Sequence, residues 1–122
     1  NSPVRSGKVK GPAELKKPAT NKEFTEVIMK FAFLIMGDFN CEIDKATIHN
    51  GRAQIVGVAN IEEACIVAKK LQEEGIDCIE LCGAFGEAGA KAIIEATENR
   101  LPIGYITHLP EQDDVYRIAF SN

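Results

Sequence analysis

From residue 30 onward, short apolar runs alternate with amphipathic stretches of helical period. Lys30–Met36 (K-F-A-F-L-I-M) is almost continuously apolar, the pattern of a strand buried on both faces. Gly37-Asp38 breaks the run. Cys41–His49 reads as a short helix with Ile43, Ala46 and Thr47 inward. Asn50-Gly51 is a turn signal, and Arg52–Val58 (R-A-Q-I-V-G-V) predicts a second strand.

The best-defined element comes next. Asn60 is a good N-cap, and Glu63 three residues later completes a capping-box pair. Ile61, Ala64, Cys65, Ala68 and Leu71 recur at helical spacing, and Gly75 supplies the stop. Glu62, Lys69, Lys70 and Glu73 fall on the opposite, wet side. Ile76–Cys82 (I-D-C-I-E-L-C) predicts a third strand, Glu87–Glu98 a second helix, and Leu101–Thr107 (L-P-I-G-Y-I-T) a fourth strand. Pro102 lies near that strand's start, where a missing donor is tolerated. After a loop over His108–Asp114, Val115–Phe120 reads as a last strand at an edge.

Two strand–helix–strand crossovers in succession require parallel strands with right-handed connections. The expected fold is therefore α/β: a small open sheet, mainly parallel, of about four strands with a fifth at the edge. If strands two to four are neighbours in that order, both crossover helices lie largely on one face. The other face then needs a cover from Cys41–His49, from the N-terminal extension or from another subunit, so a homo-oligomer is expected.

Composition fits this picture. The chain has 122 residues, 45% hydrophobic and 26% charged, enough for a core without disulfide staples. Residues 1–28 contain Pro3, Pro12, Pro18, Gly7 and Gly11 with almost no apolar periodicity, and read as a flexible extension. Met29 marks the expected start of a single domain over residues 29–122. The extension carries six basic residues against three acids, whereas residues 29–122 carry 8 basic and 15 acidic ones. A body with a balance of −7 lacks the clustered Lys and Arg of a nucleic-acid surface. No stretch approaches the roughly 18 apolar residues of a membrane helix. The four cysteines form no C-x-x-C pair, and Cys78 and Cys82 on one strand would stand about 13 Å apart, too far to bridge. These features together predict a reduced, cytoplasmic protein.

The run Gly75–Gly86, G-I-D-C-I-E-L-C-G-A-F-G, resembles a family of small uncharacterised bacterial proteins, a domain of unknown function. In that family an E-L-C-G-x-F-G motif follows an E-E-A-x-x-x-A helix, here Glu62–Ala68, and precedes a P-x-G strand, here Pro102–Gly104. The resemblance covers about residues 30–109. It implies a fold family and brings no activity with it. The same stretch is similar, more diffusely, to the strand–loop joints of phosphate-binding (β/α)-barrel enzymes, although 94 residues fall well short of the roughly 250 a full barrel takes.

Ligands of open parallel sheets sit outside the carboxyl ends of the strands. That rule collects Asp38 and Asn40 after strand one, Glu80, Cys82 and Gly83 at strand three, and Thr107 and His108 at strand four. Strand alternation sets Cys78, Glu80 and Cys82 on one face and Ile79 and Leu81 on the other. A carboxylate among apolar strand neighbours calls for a partner or a raised pKa. Two readings follow. In one, Glu80 is a general acid/base with Cys82 or His108 as companion, acting on a small molecule. In the other, Glu80 bonds backbone or a neighbouring subunit, and the polar strand face is the interface of a non-catalytic oligomeric module.

Cys82, next to Gly83 at a helix start, is either an activated thiol or a small buried hydrophobe. Gly83-x-x-Gly86-x-x-Gly89 can cradle an anion at a helix N-terminus, but Glu87 in the first turn opposes one, and tight-turn glycines explain the pattern as well. Phe85 is a pocket wall or a plug under that loop. Neither G-x-G-x-x-G nor G-K-[ST] is present, so no cofactor is specified. Glu80, Cys82, His108, Cys41 and His49 are joined by no compact ligand motif, and no metal site is expected.

Overall fold

The computed structural model describes residues 28–121, so the predicted extension lies outside the described residues except for Ile28. Five strands form one sheet: β1 (Phe31–Met36), β2 (Lys45–Ile48), β3 (Ala53–Val58), β4 (Cys78–Leu81) and β5 (Ile103–Tyr105). Their spatial order is β2-β3-β1-β4-β5. β1 pairs in parallel with both β3 and β4, β4 with β5 in parallel, and β2 with β3 antiparallel. The α/β class and the mainly parallel sheet are as expected.

The crossovers are α1 (Ile61–Glu73) and α2 (Gly86–Ala96). Asn60 caps α1 as its sequence requires: its Oδ1 accepts the Glu63 N–H at 2.8 Å, and Glu63 Oε1 accepts the Ala59 N–H at 2.7 Å. Both helices lie on one face and touch each other. Gln72 Nε2 donates to the Thr97 carbonyl at 3.1 Å, and Cys65 Sγ reaches the Ala92 carbonyl at 3.7 Å. A Cβ on Gly89 would come within 3.0 Å of both Ile61 Cδ1 and Phe85 Cβ, so the absence of a side chain there lets α2 approach α1. Ala32 and Leu34 of β1, Val56 and Val58 of β3, and Ile79 and Leu81 of β4 are buried under this layer against Ala64, Ala68, Leu71, Ala90 and Ile93. Thr97, the buried polar residue, returns its hydroxyl to the Ile93 carbonyl at 2.9 Å.

Three expectations are corrected. Strands two to four are not consecutive, because β1 is inserted between β3 and β4 and α1 crosses over it. Cys41–His49 is not a helix. Asn40 Oδ1 takes the Glu42 N–H at 2.9 Å and Asp44 Oδ2 takes the Asn40 N–H at 2.7 Å, closing a local turn. Lys45–Ile48 then runs antiparallel to β3 through a hairpin in which His49, Asn50 and Gly51 all have positive φ (49°, 54° and 85°). The fifth strand is therefore β2, at the sheet edge beside β3. Val115–Phe120 is not a strand. Residues Asp113–Ala119 form helix α3, preceded by a 3-10 turn over Pro110–Gln112. Pro at the entry and Asp113 and Asp114 in the first turn are helix-start chemistry that outweighs the β-prone Val-Tyr-Arg-Ile pattern.

Replacing the cap, Asn60→Ala, removes one satisfied N–H from α1 and should lower unfolding free energy by about 1 kcal/mol. A urea melt with an unchanged slope reads this directly, and no loss of stability would mean that the cap bond contributes nothing.

Candidate functional site

The rim expected to carry chemistry lies where β1, β4 and β5 end together. Gly37 donates to the Val58 carbonyl, Cys82 to Leu34 and Ile106 to Leu81, each at 3.0 Å, so the three seams close at the same end of the sheet. Asp38 is exposed just beyond β1, and the Phe39 ring turns back over Gly57, where a Cβ would sit 2.6 Å from the ring. The loop after β4 passes beside the end of β5, for a Cβ on Gly83 would meet the Ile106 carbonyl at 3.5 Å. Thr107 and His108 leave the sheet from that point, both exposed.

The individual groups point in several directions. Cys82 Sγ accepts the Met36 N–H at 3.3 Å, occupying the place of the next backbone acceptor in the β1–β4 seam. Phe85 is 5% exposed and belongs to the core, which is the plug position. Gly86 has φ 63°, a conformation suited to glycine where the 3-10 turn passes into α2. His108 Nε2 lies 2.8 Å from Asp113 Oδ1, and its ring stacks on Tyr116 with centroids 3.8 Å apart. Among the described residues no hydrogen bond joins Glu80 to Cys82 or His108, and no three His, Cys, Asp or Glu side chains gather as a metal would need.

Glu80 sits on the sheet face opposite the helices. The ladder registers place Phe31, Phe33 and Ile35 of β1, Ala53, Ile55 and Gly57 of β3, Ala46 and Ile48 of β2, Cys78 and Glu80 of β4 and Gly104 of β5 on that face. The burial inferred from its strand neighbours is not found: Glu80 is exposed, and Oε1 lies where a Cβ on Gly104 would be 3.1 Å away. Its hydrogen-bond partner is Cys78, whose Sγ–H donates to Oε2 at 3.5 Å. Burial, and after it the Glu80 carboxylate, push the Cys78 thiol up to about 11. Cys41, in the loop after β1, is pushed up as well, by burial first and then by Glu63.

This face is apolar yet open. Phe31 is 41% exposed, Ile55 37% and Ile48 67%. At its other end, where β1 and β3 begin, a shallow hollow of about 270 Å³ is lined by Ile28, Lys30, His49, Asn50 and Arg52. Reading the strand C-termini alone misses both features. The first was available in the sequence, since β1 is apolar at every position while only one of its faces receives helices. The second depends on the hairpin that brings His49 and Arg52 beside Lys30.

A family model described as a family of unknown function, DUF6506, matches residues 29–121. No curated protein and no solved structure matches the chain.

At pH 8 a thiol with a pKa of about 11 is about one part in a thousand thiolate, against about a quarter for an ordinary cysteine. Site-resolved alkylation of Cys78 should therefore run on the order of 10²-fold slower than free cysteine. It should rise about tenfold per pH unit up to pH 10 and quicken in Glu80→Gln, where the neighbouring negative charge is gone. A rate equal to free cysteine would contradict the geometry.

Proposed function

Since the chain belongs to DUF6506, a family of unknown function, we propose its role from its geometry: a homo-oligomeric module whose open sheet face is a subunit interface. The observation that carries this reading is the second face of the sheet. Phe31, Phe33, Ile35, Ile48 and Ile55 give it the composition of a core, and no helix of the described chain covers it. Contiguous exposed apolar surface of this kind marks association sites, because its burial returns roughly 25 cal/mol per Å². The Cys78–Glu80 pair lies on the same face beside the apolar half. A protonated thiol bonded to a carboxylate enters an interface at lower cost than a bare carboxylate does, because one of the acceptor oxygens is already occupied.

The rival reading, small-molecule chemistry at the strand ends with Glu80 as acid/base, has less in its favour. It needs Glu80, Cys82, Phe85 and His108 to converge. Cys82 instead serves the backbone of β1, Phe85 is in the core, and His108 is bound to its own helix.

Sedimentation equilibrium at roughly 1–100 µM, the range in which an interface of ordinary affinity is populated, should find an oligomer. Ile55→Glu and the edge substitution Ile48→Glu should each weaken it by about 2 kcal/mol, roughly thirtyfold in the dissociation constant, with unchanged circular dichroism. A chain that stays monomeric throughout that range rules the proposal out.

A further inference from the structure

The last sixteen described residues form a second unpartnered surface. From Ile106 to Ser121 every residue is exposed, Ile106, Leu109, Val115, Tyr116, Ile118 and Phe120 among them. Ile118 is 68% exposed and Phe120 80%. Its helix, α3, has seven residues, well below the roughly 12–15 at which an isolated helix becomes even marginal in water. Such a helix acquires lasting structure by laying its apolar side chains on another surface.

The arm nevertheless has a defined shape. The His108–Asp113 contact and the His108–Tyr116 stack fold its entry against its helix, and Tyr116 stacks in turn on Phe120 with centroids 5.8 Å apart. These contacts are internal to the arm. They leave it projecting from the end of β5, with its apolar residues turned to water.

We propose that this arm, residues 106–120, packs on the open sheet face of a second copy of the chain, and that the second copy's arm packs on the first. The proposal rests on the reading of that face as an interface and names what covers it. Three observations select a second copy as the occupant. Among the described residues each chain carries one unpartnered sheet face and one unpartnered arm, so a reciprocal exchange covers both in equal number and closes as a two-fold dimer. The areas agree as well. At roughly 100 Å² of exposed apolar surface per large side chain, the arm offers on the order of 600 Å², near the ~800 Å² per partner of a stable interface. Charge is complementary too: the arm carries Glu111, Asp113 and Asp114 against one arginine, Arg117, whereas Lys30 and Arg52 stand at the end of the sheet where β1 and β3 begin.

Two measurements on the full chain test this. In the first, Ile118→Asp with Phe120→Asp removes the arm's apolar contacts without touching the body, and its association is compared with that of Ile55→Glu. The expected result is at least a tenfold rise in dissociation constant for both, with circular dichroism of the body unchanged. If the arm variant associates like the unmodified chain while Ile55→Glu dissociates, the sheet face is an interface but the arm is not its cover, and the inference falls alone. If the unmodified chain is monomeric, both fall. In the second, a photo-reactive phenylalanine replaces Phe120 in a mixture of light and heavy isotope-labelled chains. Cross-links from one label to β1, β2 or β3 peptides of the other are expected, and cross-links confined to a single label overturn the exchange.

Discussion

β1 is hydrogen-bonded along both edges, to β3 on one side and to β4 on the other, and both ladders are parallel. That double pairing governs the remainder of the fold. A chain leaving β3 cannot enter β4 by a tight turn, because the two strands run the same way with β1 between them. It must return outside the sheet, and α1 is that return. The second return, α2 between β4 and β5, comes back on the same side, where Gly89 lets the two helices close over Ala32, Leu34, Ile79 and Leu81. One face of β1 is thereby sealed. The other is left apolar, with the Phe39 ring over Gly57 at one end and no helix of the described chain above it. The helical layer and the open face are two outcomes of the same pairing.

The seam between β1 and β4 is held at both ends by side chains as well as by backbone. At its start, Asp77 and Lys30 exchange bonds: the Lys30 N–H donates to the Asp77 carboxylate at 2.9 Å, and the Asp77 N–H to the Lys30 carbonyl at 2.9 Å. At its finish, Cys82 sulfur holds the Met36 N–H. Residues that looked chemical from their place at a strand end can therefore be occupied with finishing the ladder, since an unmade backbone bond there would cost more than a weak N–H to sulfur contact.

Much of the fold was legible in the sequence. The apolar runs of β1 and β3, the Asn60–Glu63 cap and the Gly75 stop each combine a periodic pattern with a boundary signal, and they stand where expected. What was misread had local signals pointing two ways. Lys45–Ile48 is a four-residue strand, too short for a period, and Asn50-Gly51 was the better guide: a hairpin turn before one strand implies a partner strand before the turn. Val115–Phe120 has strand-like residue types, and the preceding Pro-Glu-Gln-Asp-Asp was what set helix. The order of strands lay out of reach because periodicity says which residues face a core and is silent on which strand stands beside which. For the site, alternation joined Cys78 to Glu80 but also set Cys82 beside them, whereas Cys82 lies past the end of β4, packs against the core and holds the Met36 N–H. Nor could it reveal that His108 would be taken by Asp113 and Tyr116 five and eight residues further along its own chain.

The outer strands of the sheet are both short. β2 has four residues and β5 three, the latter entered through Pro102 and with Gly104 at its centre. A foreign strand laid alongside either border would find room for only a few bonds before the template ran out. Growth by strand addition, the route to fibrils, is thus closed off by brevity at both margins, although the molecule leaves so much greasy surface in view.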